Sequence, residues 1–226
     1  HGDNDHSGGA RSIANAFKVK KWLYSGSFDP LTIESTHSKL QHCQAGHSDT
    51  VDAFHYVLLN PDNVTPDIDS SENDSSCVLQ IRLKATEADS ASNDEQALLL
   101  VPGDISRAIE YQLMNLYPTT LATDLLIIAH HGSKTSTSNA WLVATKPAFA
   151  MVSNGFNNRY KHPNHNVVMR ILKRGIPLHR SDKLGAIQFW YRNGDWEGPF
   201  CYRYKARHFW QNYDNSDTCQ GRLRKL

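Results

Sequence analysis

His1-Gly2-Asp3-Asn4-Asp5-His6 opens the chain and places four imidazole or carboxylate side chains within six residues. Imidazole nitrogen and carboxylate oxygen are ligands suited to zinc or manganese, and they can converge on one or two ions where the backbone turns tightly. Gly2, Gly8 and Gly9 permit such a turn. Three more stretches of the same chemistry follow: Pro102-Gly103-Asp104, His130-His131-Gly132-Ser133 and Asn158-Arg159-Tyr160-Lys161-His162-Pro163. The first two directly follow apolar strand-like runs, at residues 97–101 and 124–129, and the third lies between a strand and a helix. A carboxylate beside glycine at the carboxyl end of a strand points above the sheet edge. One such cluster is ordinary on a protein surface. Four, in a chain with 12 histidines, read as loops meeting over one site.

Outward from these stretches, Ile13, Ala14 and Phe17 fall at helical spacing within residues 10–18. Strand-like runs at 22–24, 39–43 and 53–59 are separated by Gly-, Ser- and Asp-rich turns, and the acidic stretch 62–74 reads as a loop. Residues 77–83 and 97–101 read as paired strands about a polar turn at 86–95, and 105–116 as a helix. The second half alternates strand 124–129, helix 137–145, strand 149–152, helix 167–173 and strand 176–179, and closes with alternating aromatics at 185–192 and 199–204. Hairpins followed by strand-helix units predict an α/β fold, a sheet covered by helices. The sequence holds no repeat of fixed period and no linker-like stretch that would divide it.

The 226 residues, 39% hydrophobic and 10% aromatic, suffice for one sizeable core, and mean hydropathy of -0.54 describes a water-exposed surface. That excludes a wholly disordered chain. No run approaches the roughly 18 apolar residues of a membrane-crossing helix. Lys plus Arg (24) nearly balance Asp plus Glu (23), so bulk charge does not announce a polyanion binder. The distribution is uneven. Residues 159–183 carry seven basic and one acidic residue, whereas 62–95 carry nine acidic and two basic. A polyanion would favour the first segment, though two solvated faces of opposite sign would look the same. The four cysteines show no CxxC spacing. Cys77, inside an apolar run, reads as a small core residue, while an oxidising compartment would allow a Cys201–Cys219 disulfide.

The opening His1-x-Asp3-x-Asp5-His6 resembles the metal motif of the metallo-β-lactamase fold, with Asp3 where most members carry a second His. Together with VPGD at 101–104, HHGS at 130–133 and NRYKHP at 158–163, it closely resembles the extracytoplasmic C-terminal domain of ComEC-type DNA internalisation proteins. The likeness covers residues 1 to about 190. It implies an αββα sandwich lacking its first strands, because the chain opens inside a motif and reads as an N-terminally truncated fragment. It also implies a division into a partial domain at 1–194 and a C-terminal extension at 195–226.

The resemblance carries roles with it. His1 and Asp3 would help hold one divalent metal ion, zinc or manganese, Asp5 and His6 the second, and Asp104 would bridge them. One of His130 and His131 should be a ligand and the other face the substrate phosphate, while His162 closes the metal site or protonates the leaving group. In such a site Asp5, with His130 and His162, would be catalytic and Ser133 would meet developing phosphate charge; by their chemistry Arg159 and Lys161 would hold the adjacent phosphate and Tyr160 stack on a base, although an ordinary basic loop would read the same. Most metallo-β-lactamase folds carry another His before the bridging Asp, where this chain reads Asn73-Asp74-Ser75-Ser76-Cys77. The implied activity is a DNA nuclease that degrades the non-transported strand in natural transformation. Its implied partners are DNA, the membrane-embedded remainder of the parent channel and other competence proteins, on the periplasmic face of the inner membrane. Two readings stand beside it: a hydrolase of another ester, a lactone or phosphorylcholine ester, and a non-catalytic DNA-guiding module. His37, His42, His47, His55, His165, His179 and His208 fit no shared motif and read as surface or satisfied core residues, and Trp190, Trp196 and Trp210 as packing.

Overall fold

A computed structural model describes residues 1–33, 38–61, 71–84, 97–205 and 219. The acidic stretch lies mostly outside these residues, as do the polar turn at 86–95, His37, His208 and Trp210. Its centre is a seven-stranded mixed sheet in the order β3 (Ser48–Val51), β4 (Phe54–Asn60), β5 (Val78–Leu83), β6 (Ala97–Val101), β7 (Thr123–Ile127), β8 (Phe149–Val152) and β9 (Leu178–Arg180). β3 to β6 pair antiparallel and β6 to β9 parallel, the change of architecture that the alternating second half predicts. The chain is thus α/β.

Period-two alternation divides the parallel strands between two apolar layers. Leu100, Leu126, Ala150 and Val152 face α3 (Arg107–Leu116), α4 (Asn139–Thr145) and α5 (His165–Leu172), which contribute Leu113, Trp141, Leu142, Val167 and Ile171. Val167 and Ile171, four residues apart, lie on one stripe of α5, and both are fully buried. Each of these helices begins at a side-chain cap: Ser106, Ser138 and Asn164 accept from backbone N–H groups of the first turn. On the opposite face Leu99, Leu125, Ile127, Phe149 and Met151 meet an antiparallel hairpin, β10 (Ile187–Arg192) and β11 (Asp195–Cys201). Trp196 anchors it, edge-on to Phe149 at 5.4 Å and donating its indole N–H to Asp124.

Instead of one continuous second sheet, two separate pairs stand off the main sheet: this hairpin, and β1 (Lys21–Tyr24) running parallel to β2 (Lys39–His42). The hairpin crosses the division expected at residue 194, so residues 195–201 pack into the body. Among the described residues no helix is long and apolar enough to cross a membrane. Cys201 and Cys219 form a disulfide. Cys77 is not a free core thiol: it is joined to Cys43 across 34 residues, tying the end of β2 to the start of β5.

Candidate metal centre

Parallel strands end at one edge, and that edge carries the site. β6 delivers Pro102 to Asp104, β7 delivers His130 and His131, and β8 delivers the loop that ends at His162. The opening motif arrives separately, on the short helix α1 (Asn4–Ser7), and Glu72 fastens it: its carboxylate accepts from the N–H groups of Gly2 (2.7 Å) and Ser27 (2.8 Å). Burial alone would raise the Glu72 pKa, but these donors outweigh it and hold the carboxyl below its ordinary value.

Asp104 is the focus. Its carboxylate is 4% exposed and meets His6 at 3.3 Å, His131 at 3.5 Å, His1 at 3.7 Å and His130 at 3.8 Å. Burial pushes its pKa up, yet the imidazoles of His1 and His6 with the charge of His131 win and hold it well below the usual carboxylate range. Burial lowers the pKa of His1, but Asp104 outweighs it, so this imidazole titrates above its ordinary value. Burial depresses both His130 and His162. Nε2 of His6 and Nε2 of His131 stand 3.1 Å apart, and Asp5 lies 3.3 Å from the latter. Two ligand-like groups result, His1 with His6 and Asp104, and Asp5 with His6 and His131.

The donor set fits a cation of the zinc or manganese kind. His1 Nε2 is buried without a hydrogen-bond partner and faces a buried carboxylate, and two imidazole nitrogens crowd one another beside it. His131 has its tautomer assigned by a carbonyl that can only accept: Nδ1 donates to Ser153 O at 2.7 Å, which leaves Nε2 as the lone pair turned to Asp5, His6 and Asp104. His130 is turned otherwise. Its Nδ1 lies 3.5 Å from the Thr135 hydroxyl and its ring edges towards His162 at 6.1 Å. Of the HHGS pair, His131 is therefore the better placed to be a ligand.

Not every expected residue joins the cluster. The Asp3 side chain is half exposed, 3.7 Å from His1 Nδ1, and belongs to neither ligand-like group found among the described residues. Ser133, expected to meet phosphate, is buried in the turn with its hydroxyl 3.0 Å from that of Thr135, because the turn after His131 needs that hydroxyl internally. His162 stands at the rim, Nδ1 buried without a partner and its ring stacked on Tyr160 at 5.7 Å. Arg159 and Lys161 are exposed on the same loop.

The sequence reading missed the residues that hold this cluster in place. His130 and His131 are both left-handed, at φ of 49° and 52°, a conformation that costs an L-residue of order 1–3 kcal/mol and survives only where surroundings enforce it. His130 N donates to Gly103 O, and Ser133 N donates to His130 O. Ser76 braces the backbone at Asp104: its hydroxyl accepts from Asp104 N at 2.9 Å and donates to Asn73 O at 2.7 Å. Asn158 clasps His162 from both sides, accepting from its N–H (2.9 Å) and donating to its carbonyl (2.7 Å). Polar residues beside a motif glycine or histidine were the only local signal for these roles.

No family model matches the chain. It is 34% identical over 191 residues to Competence protein ComA of Neisseria gonorrhoeae, and 29% over 201 residues to ComE operon protein 3 of Bacillus subtilis. Those matches cover 84% and 85% of this chain. A third, to Recombination protein 2 of Haemophilus influenzae, is 30% identical over 172 residues, 76% of the chain. The chain spans about a quarter of the length of the curated relatives it matches: 24%, 24% and 19% of them respectively. A segment of that size, alike along most of its length to each of three such proteins, belongs to the family of ComEC-type competence proteins.

Proposed function

We propose that residues 1–226 form a metal-dependent phosphodiester hydrolase of the metallo-β-lactamase fold, a DNA nuclease that removes the non-transported strand during natural transformation. The carrying observation is the buried Asp104 carboxylate ringed by four imidazoles, with Asp5 adjoining through His131. His1 and Asp104 would hold one ion, Asp5 and His131 the other, with His6 between them. Asp104 would serve both, since its carboxylate lies within 3.7 Å of His1 and 3.5 Å of His131. When bound, two divalent cations, zinc or manganese, would supply an acidic water and a positive clamp for phosphate oxygens.

The chain's own groups do the rest. Asp5, the exposed carboxylate of the cluster, orients the attacking water and accepts its proton. His162, at the rim beside His130, gives a proton to the leaving oxygen, and the depressed pKa makes its imidazolium the stronger acid. His130 faces the phosphate, and Arg159 and Lys161 hold its neighbour along the strand. The parent protein's membrane-embedded remainder and other competence proteins would be its partners, with this domain on the periplasmic face of the inner membrane. The disulfides Cys43–Cys77 and Cys201–Cys219 support such an oxidising location.

Metal analysis of the purified chain beside manganese-dependent DNA cleavage tests this reading. Asp104→Asn should lose cleavage by about two orders of magnitude or more; retained activity removes Asp104 from its assigned role. Cleavage of a lactone or phosphorylcholine ester with DNA spared would reassign the substrate. Failure to bind zinc or manganese in a calorimetric titration would make the domain a guide for DNA instead of an enzyme.

A further inference from the structure

The helices that cover the site-bearing sheet present an outer face of one sign. Residues 105–181 hold nine Lys and Arg residues but two carboxylates, Glu110 and Asp124, which are 0% and 2% exposed. Glu110 is turned inward, accepting from the N–H groups of Thr137 and Ser138, and Asp124 accepts from the Trp196 indole on the opposite side of the sheet. Asp74, which reaches the start of α3 from another element, accepts from Ser106 N at 2.7 Å. Between α4 and α5 this face forms an open groove of about 400 Å³, lined by Asn139, Asn166, Met169, Arg170, Lys173 and Arg174. Arg170 is fixed there by donating to the Thr137 carbonyl. Burial, and after it the charge of Arg107, lowers the Arg170 pKa, so these two guanidinium groups stand close enough to repel. Arg107 in turn donates to Lys134 O at 2.5 Å. Arg107 lies three residues after Asp104 and Lys134 three after His131, so the row of cations begins where the loops of the metal cluster end.

We propose that the groove between α4 and α5 is a second seat for nucleic acid, a phosphate track that holds a strand away from the metal cluster and by its backbone alone. The lining offers cations and side-chain amides but no aromatic ring, so it meets phosphate oxygens and leaves bases unread. From Asn166 to Lys173 α5 rises about 10 Å, room for about three phosphates at about 3.4 Å each. Helix stability does not account for the row: Arg107 is the first residue of α3, where a cation opposes the helix dipole. A cleft lined by one sign of charge focuses its field along the cleft. That shape suits a linear polyanion continuing from the catalytic edge, whereas a flat lipid surface would meet a broad convex face. The inference deepens the hydrolase reading, on which the strand in the track is the one being cut, but binding to the track is measured without cleavage.

The test combines Lys134→Gln, Lys173→Gln and Arg174→Gln in the full 226-residue chain; all three side chains are exposed, and Arg170 is kept because it holds the Thr137 carbonyl. A control triple, Lys18→Gln, Lys20→Gln and Lys39→Gln, makes the same charge change beside β1 and β2. Binding is read with EDTA present, on a fluorescein-labelled oligothymidylate of about 30 nucleotides and on the same strand made abasic. The groove triple should bind both strands about tenfold more weakly, and its slope of log affinity against log salt should fall by about 2, since each lost phosphate contact removes about 0.7. The control should stay within about twofold of the parent chain. No binding by the parent, equal losses in the two triples, or a loss confined to the base-bearing strand each overturns the track. So does a groove triple that binds the strands normally but loses affinity for phosphatidylglycerol vesicles, which would turn this face to lipid. Manganese-dependent cleavage of a thymidine dinucleotide, too short to reach the groove from the cluster, should be equal in parent and groove triple, and a loss there also overturns the track. Weakened strand binding in the groove triple with no cleavage by either protein keeps the track and removes the nuclease; cleavage with unchanged binding does the reverse.

Discussion

Gly132 lies so close to Pro163 that a Cβ on the glycine would stand 2.5 Å from the proline Cβ and 3.1 Å from its Cα. The backbone there is left-handed, φ 79°, and Gly132 O accepts from Asn164 N at 2.8 Å. One glycine thus joins the HHGS turn to the loop bearing His162, and the spacing between two histidine-bearing loops depends on the absence of a side chain.

Gly132→Ala should therefore act at a distance from any ligand atom. The clash is with backbone and a rigid ring, so the loops must separate, at a cost of about 2–4 kcal/mol for combined strain and lost packing. Urea unfolding should show that loss, and calorimetric titration should show weaker manganese binding. A variant with native stability and native metal affinity would mean that the contact does not set the site.

Ser76→Ala isolates support of Asp104 from its charge. Ser76 is 1% exposed, and removing its hydroxyl leaves the Asp104 N–H buried without that acceptor, a cost of about 1–3 kcal/mol. Metal affinity should fall with stability while the carboxylate itself is intact. If chemical denaturation shows no change, another acceptor has taken the proton and the serine is dispensable.

What the sequence made legible was local. The runs at 97–101 and 124–129 announce themselves because a strand buried on both faces is largely apolar, and the site motifs follow directly at their carboxyl ends. β3 escaped because all four of its residues, Ser48 to Val51, are exposed and show no apolar alternation. Cys77 was misread because its neighbours are apolar while its partner Cys43 lies 34 residues away, a relationship no window reveals. The contact of the Ser133 hydroxyl with that of Thr135 is likewise visible only in the three-dimensional turn.

Reduction of Cys43–Cys77 should loosen the part of the chain that carries the opening motif. A cross-link closing a loop of this length removes unfolded-state entropy worth about 3–4 kcal/mol. Cys43→Ser with Cys77→Ser should lower Tm accordingly, and reductant should lower the parent chain's Tm without affecting the double variant at that bridge. Equal sensitivity in both would assign the effect to Cys201–Cys219 instead.

His179 gives the fold an acid sensitivity of predictable sign. Its ring is 5% exposed, edge-on to Phe189 at 5.6 Å, and Nε2 has no hydrogen-bond partner, so burial lowers its pKa from the ordinary 6.5. The unfolded chain then binds this proton more readily than the folded one. The neutral ring's contribution is fully present above 6.5 and is lost as pH falls from there through the depressed folded value. Unfolding free energies measured between about pH 8 and pH 5 should fall less steeply for His179→Leu than for the parent chain. Metal is removed from both proteins, so that loss of a bound ion does not enter the difference. Identical slopes would show that His179 keeps its proton when buried, and that a partner for Nε2 exists in solution.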